Sequence, residues 1–580
     1  MKLRILLAAF VFSVVILFAF RLREEKQKTT FNLAEYKKKT VIRCTADWNS
    51  LKEWLEESDI PPMPGAGLYR WKISTTSDSA QFYFNQGINM YYGFHIIEAM
   101  ASFKKAARFD PNCAMIYWAQ ALSYGPNIND YGYRASPEAL LSLNQAKAYS
   151  ANATVFEKAL IRAMSVRYTS DSTDVTRAQL NIAYTAEMKK VMEAFPTMTD
   201  AVVLYADAMM LEHPWELWNN NGTPKQWTPA IRTVLEKALQ QNPMHPGANH
   251  YYIHVMEASP YASLALPSAS RLGKTNPGLS HLVHMPSHIY LRTGYYDQGV
   301  IVNDKAVNSY QKSIALFAPV TGADFLYSIH NLHMKANNAM MTGNAKVSVD
   351  AALETQNSIP KDYLSMPAPL GNLVQYIYHT PVLAKVRFGK WQSLLEMQQP
   401  PVAEVFSNVM YHFGRGMALA NTGNVGEAKQ QLLSLQLLLK DSSLAIPYSP
   451  FSPAVDGGIV AEQLLAGTIA LKENRLKEAV LHFLVASSRE ESMVYNEPRD
   501  WLLNPKHYLG YALLLVKDGK QAEAVFRKDL KNNMENGWAL YGCYQALLLQ
   551  GKKTEAAQLL VRFKKSFAKA DIVLKAPVVE

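Results

Sequence analysis

Histidine is the residue whose placement in this chain could do chemistry. Eight of its fourteen histidines fall between positions 245 and 333. His250 and His254 lie four residues apart in HPGANHYYIH, and His284 and His288 lie four apart in HLVHMPSH. On a helix, residues i and i+4 share one face. The two pairs are also in register, because His284 follows His250, and His288 follows His254, by thirty-four residues. Neutral imidazole is the commonest transition-metal ligand. A set of histidines, with or without a carboxylate, suits zinc, copper, iron or nickel. His250, His254, His284 and His288 are therefore the leading candidates to converge on one ion. His281, His330, His333 and Glu257, three residues after His254, are further candidates.

Two blander readings stand beside this one. A single buried histidine on a helix is more often a hydrogen-bonded core residue than a ligand, and duplication of an ancestral repeat would copy histidines whatever they do. A groove of histidines would also suit acidic peptides below about pH 6.5. Familiar catalytic patterns are missing. HEXXH needs a glutamate between the histidines, and here the intervening residues are Tyr251-Tyr252-Ile253 and Met285-Pro286-Ser287. No G-x-S-x-G and no phosphate-cradling glycine loop stands out, so catalysis is left open. Trp215, Trp218, Tyr251 and Tyr252 are candidate pocket walls, with helix-core packing as the competing role. His412, His482 and His507 read as structural.

The elements that must position these side chains follow from the period. Thirty-four residues is the tetratricopeptide repeat, a helix-turn-helix unit. NQGINMYYGFHIIEAMASFKKAARFDP (85–111) has small Gly87, Ala99 and Ala106 where two helices would approach, and Pro111 where the second would end. Residues 507–530 and 539–563 repeat the pattern, with turns expected at Gly519 and Gly551. Further turns are expected at Gly294, Gly343, Gly389, Gly423 and Asn474. The expected fold is all-α, a right-handed superhelical solenoid of tetratricopeptide-like helix pairs. With Gly294 at the turn, His281, His284 and His288 take the second, fifth and ninth positions of a first helix, on the concave side. His330, His333 and Asn337 take the same positions in the next copy, and Tyr376 and His379 the first two in the one after. Asn337, Tyr376 and His379 are thus expected to line the groove. Pro286 should kink its helix.

The chain has 580 residues, 49% of them apolar and 19% charged, enough for a large core without a long disordered segment. Ile5 to Phe20 carry no charge and follow Lys2 and Arg4. With no A-x-A-like cleavage site at their end, they read as an uncleaved signal anchor with the bulk of the protein exported to the periplasmic side, or secreted if cleavage occurs. The formal charge of +10 is read as a basic flank to this anchor plus solvated lysines, so the expected partners are a membrane and a protein or peptide in the groove, with no nucleic acid. Three scattered cysteines exclude a disulfide framework. The expected organisation is an anchor at 1–25, a lead-in at 26–75, the solenoid at 76–570 and a tail at 571–580.

Several blocks together resemble bacterial tetratricopeptide-repeat proteins that carry HPGxxHYxIH and HMPSHI motifs. The blocks are HPGANHYYIHVMEAS (245–259), HLVHMPSHIYLRTG (281–294), CAMIYWAQALSYGPNIN (113–129), HNLH (330–333), YNEPRDW (495–501) and NGWALYGCYQAL (536–547). The resemblance spans about residues 60 to 570. It implies the solenoid fold and little about function. The chain departs from it at Gly67-Leu68-Tyr69-Arg70-Trp71, where members often have histidines, and at Ile116, where some have a cysteine. The readings left open are a binding scaffold with a transition-metal site, a metal-dependent enzyme using the histidine cluster, and a protein-interaction scaffold without metal.

Overall fold

The computed structural model describes residues 46, 48–57, 59–130, 133, 135–170, 174–317, 325–448 and 450–580. The candidate signal anchor lies outside the described residues. Among them the regular elements are all helices, with no strand and only two isolated β-bridges, Trp218 to Pro224 and Pro447 to Pro453. Consecutive helices pack against each other in pairs, such as Val405–Asn421 with Val425–Leu438, Ala454–Lys472 with Leu476–Ser492, and Gly537–Leu549 with Lys553–Ser566. The fold is the expected all-α solenoid of tetratricopeptide-like helix pairs.

The turn residues explain why the pairs close so tightly. Gly294, Gly343, Gly389, Gly423, Gly551 and Asn474 all have positive φ, the left-handed conformation that ends a helix and reverses the chain. Gly343 (φ +72°) shows the double requirement, because a Cβ there would also run into the Phe567 ring. One turn differs from expectation. Lys517 (φ +65°) takes the left-handed position, and Gly519 instead opens the helix Gly519–Asn532. Ala454–Lys472 is long and apolar enough to cross a membrane by length and composition, yet most of it is buried between its neighbours.

Six helices build the region of interest: α1 (Asp78–Tyr92), α2 (Pro246–Met256), α3 (Ser280–His284), α4 (Pro286–Thr293), α5 (Tyr296–Phe317) and α6 (His330–Met341). Proline 286 has the expected effect, since the helix breaks at Met285 into α3 and α4. Two large apolar cores flank this region, one running from Ala46 to Ile289 and the other from Ile329 to Val578. The histidine-rich helices lie at the seam between them.

The C-terminal repeats fold back across that seam. Tyr296 Oη donates to the Met534 carbonyl at 2.7 Å, and Trp538 Nε1 donates to the Met340 carbonyl at 2.9 Å. Asp571 accepts from the backbone N–H groups of Ala345 and Lys346 at 2.6 and 2.8 Å, capping the helix Ala345–Asn357 with a negative charge at its positive end. The segment expected to be a tail is therefore packed, with Leu574 and Val578 buried in the second core. Asn337, Tyr376 and His379 do not line an open groove but are buried.

Candidate metal centre

The site begins at the start of α2. His245 accepts a hydrogen bond at Nδ1 from the Ala248 N–H (3.2 Å), capping the helix, and Pro246 follows where its missing N–H costs nothing. That assigns the proton of His245 to Nε2, which faces Asp200 at 3.2 Å. His245 is thus a structural cap. One and two turns further on, His250 and His254 point together into the seam.

Their back sides fix their tautomers. His250 Nδ1 lies 2.6 Å from the Tyr92 carbonyl at the end of α1, an acceptor only, so Nδ1 carries the proton. His254 Nδ1 lies 3.2 Å from Glu257 Oε1, and it carries the proton for the same reason. Both Nε2 atoms are therefore bare lone pairs in the neutral rings, yet they face each other at 3.1 Å. His281 Nε2 from α3 completes the triad, 3.0 Å from His250 Nε2. Burial, reinforced by the neighbouring imidazoles, holds His250 and His281 well below the usual histidine range, so a proton does not readily fill the gap. Phe94 stacks on His281, meets His250 edge-on and closes one side. Trp215, in a left-handed conformation (φ +64°), meets His254 edge-on with ring centres 5.4 Å apart.

A second triad sits one rung on. His284 and His288 bring their Nε2 atoms to 2.7 Å, and the ring of His330 from α6 is 4.6 and 5.5 Å from theirs, centre to centre. His284 Nδ1 donates to Asn303 Oδ1 at 2.6 Å, and the Asn303 amide is oriented by its own donation to the Gly299 carbonyl at 2.8 Å. His288 Nδ1 lies 2.8 Å from Glu257 Oε2 and 2.6 Å from Glu497 Oε2. Burial opposes charge on His288, but the two carboxylates outweigh it and raise the ring well above the usual range. Glu257 is held low against burial by His288 and His254, whereas burial lifts Glu497.

The structure therefore corrects the expected ligand set. His250, His254, His284 and His288 do not form one four-histidine site. They divide between two triads, with His281 and His330 as the third members. Across the gap, ring centres are 6.0 Å apart for His281 and His284 and 6.2 Å for His254 and His288. The reason is helix stagger, which sets His281 rather than His284 against His250. Glu257, expected as a further ligand, instead lies behind the rings, its oxygens facing His254 Nδ1 and His288 Nδ1. His333 is buried without joining either triad, its ring pushed down to about 3 by burial alone, and His379 is likewise separate at about 4. Of the expected pocket walls, Trp215 lies against His254 and Tyr251 against His250, each with ring centres 5.4 Å apart. Trp218 Nε1 instead donates to the Val255 carbonyl at 2.6 Å, and Tyr252 Oη donates to Glu236 Oε1 at 2.8 Å. Glu497 was missed, because nothing in YNEPRDW shows that its loop returns to the histidines. Tyr495 Oη anchors that loop by donating to the Glu257 carbonyl at 3.2 Å.

Two of the three nitrogen pairs in the first triad have the spacing of ligands on one ion. Metal–nitrogen bonds of about 2.0–2.1 Å put two ligand nitrogens about 2.9 Å apart at a right angle and about 3.3 Å apart on a tetrahedron. The contacts of 3.0 and 3.1 Å fall between these limits. Three histidines also leave a tetrahedral ion one further position for water or another ligand.

Fold and site together define an all-α solenoid with a buried histidine centre at the meeting of two cores. No protein-family model and no curated protein matches the chain. Among solved structures it is similar to a human IFIT1 dimer with m7Gppp-AAAA, at 13% identity and a TM-score of 0.28, over 85% of this chain and 90% of that one. A human IFIT1 dimer with PPP-AAAA matches at 13% identity and a TM-score of 0.29, over 90% of this chain and 100% of that one. The expectation of no nucleic-acid partner is withdrawn, because the structures matched carry capped or triphosphate RNA. At this TM-score the likeness says nothing of what this chain binds.

Proposed function

We propose that this protein is a transition-metal-binding solenoid whose primary centre is His250, His254 and His281. The contact between His250 Nε2 and His254 Nε2 carries the reading. Both rings spend their proton on the far side, so two lone pairs face each other in a buried site, an arrangement that a cation between them would stabilise. Imidazole ligands suit zinc, copper, iron and nickel. A scaffold reading that uses the inward residues as an open peptide groove is disfavoured, since Asn337 and His379 are buried. The apolar run Ile5 to Phe20 supports membrane anchoring and export of the remainder.

Elemental analysis of the purified protein tests the centre. Wild type should carry stoichiometric transition metal, and a folded His250→Ala/His281→Ala variant should lose one equivalent. Wild type without stoichiometric metal after both aerobic and anaerobic preparation would sink the reading.

A further inference from the structure

We propose that the site is a two-ion centre, in which His284, His288 and His330 hold a second transition-metal ion and the Glu257 carboxylate orients one histidine of each triad. This rests on the reading of the first triad as a metal centre. Three features of the second triad point the same way. First, the nitrogens of its three histidines all lie within 4.8 Å of one another, although the residues come from three separate helices. Secondly, two of its rings are oriented from behind, as His250 and His254 of the first triad are. His284 is held by Asn303, whose amide is itself fixed, and His288 by two carboxylates. Outer partners of this kind fix ring orientation and tautomer in metal-ligating histidines. Thirdly, Glu257 divides its two oxygens, Oε1 toward His254 Nδ1 and Oε2 toward His288 Nδ1. A carboxylate serving a single ion would have no reason to span both rungs.

One ion cannot serve both groups. The short nitrogen contacts, 2.7 to 3.1 Å, occur within each triad, and the closest ring centres there are 4.6 to 4.9 Å apart, against 6.0 and 6.2 Å for the rings facing each other across the gap. The competing account of the second triad is a shared proton. A charged His288 would donate from Nε2 to His284 Nε2, balanced by Glu257 and Glu497. That account satisfies the pair but gives His330 no role, though its ring is held against both.

The test is titration of metal-free wild-type protein with cobalt(II), followed by the visible absorption of the bound ion and by elemental analysis after desalting. Saturation at two equivalents per chain is expected, falling to one in His284→Ala/His330→Ala and to one in His250→Ala/His281→Ala. Saturation of wild type at one equivalent, unchanged in His284→Ala/His330→Ala, overturns the second position and leaves the first standing. No uptake by wild type overturns both. The wild-type stoichiometry decides the matter even if a double variant fails to fold.

Discussion

His250 and His507 are both fully buried histidines on helices of the same solenoid, yet they sit in opposite kinds of surroundings. Around His507 both ring nitrogens have a complementary partner. Arg387 Nη1 donates to Nδ1 at 3.0 Å, and Nε2–H faces Asp529 Oδ2 at 2.9 Å. Asn536 adds a donor to the same Asp529 oxygen at 2.7 Å. His250 has a carbonyl acceptor on one edge, and on the other its bare Nε2 faces the bare Nε2 of His254 at 3.1 Å beside His281 Nε2 at 3.0 Å. Burial alone therefore does not mark a ligand. The mark is a ring whose proton is committed elsewhere and whose free nitrogen is aimed at another free nitrogen.

The largest expected difference between the two is in metal. His250→Ala should abolish binding at the first triad, together with the stabilisation that saturating metal gives, about 2.7 kcal/mol at a hundredfold excess over Kd. His507→Ala should keep full stoichiometry by elemental analysis, and a loss there would erase the distinction. The next effect reverses the ranking. In metal-free protein His507→Ala should cost roughly 1–3 kcal/mol in denaturant unfolding, since it strips partners from buried Asp529 and Arg387. A smaller effect is expected at Glu257→Gln, which keeps the ligands but weakens their orientation. Metal affinity should fall by about 10–100-fold in competition with a chelator.

The smallest effect is in pH. Bound metal requires unprotonated imidazole nitrogen. His250 and His281 are held well below the usual histidine range, so they stay neutral as pH falls, and the first triad should keep its metal below the pH where free histidine lets go. His288 is raised, facing Glu257 and Glu497 with Arg292 nearby, so a proton must leave it before its Nε2 can bind. Uptake at the second triad should therefore release a proton at neutral pH and weaken first on acidification. Calorimetry in buffers of different ionisation enthalpy would read the difference, and equal proton release at both triads would break it.

Much of the fold was legible in the sequence because a repeat states itself twice. The thirty-four-residue spacing gave the helix pairs, Pro286 the interruption of its helix, and the glycines most of the turns. Which histidines meet was less legible. Spacing places side chains on a face, but contact across helices depends on stagger, and a shift of about one turn set His281 beside His250. His330 needed the position of α6. Glu497 lay beyond reach, since a repeat pattern describes neighbours in a stack and not a loop that crosses back over it.

That crossing has a consequence for synthesis. A ribosome releases the histidine rungs well before the loop that carries Glu497, and domains generally fold as they emerge. Until about the last sixth of the chain appears, His288 lacks one of its two carboxylates and Tyr495 has not closed over Glu257. The finished centre is thus a mark of a complete polypeptide, and a chain truncated before Tyr495 would keep the histidines and lose the seal.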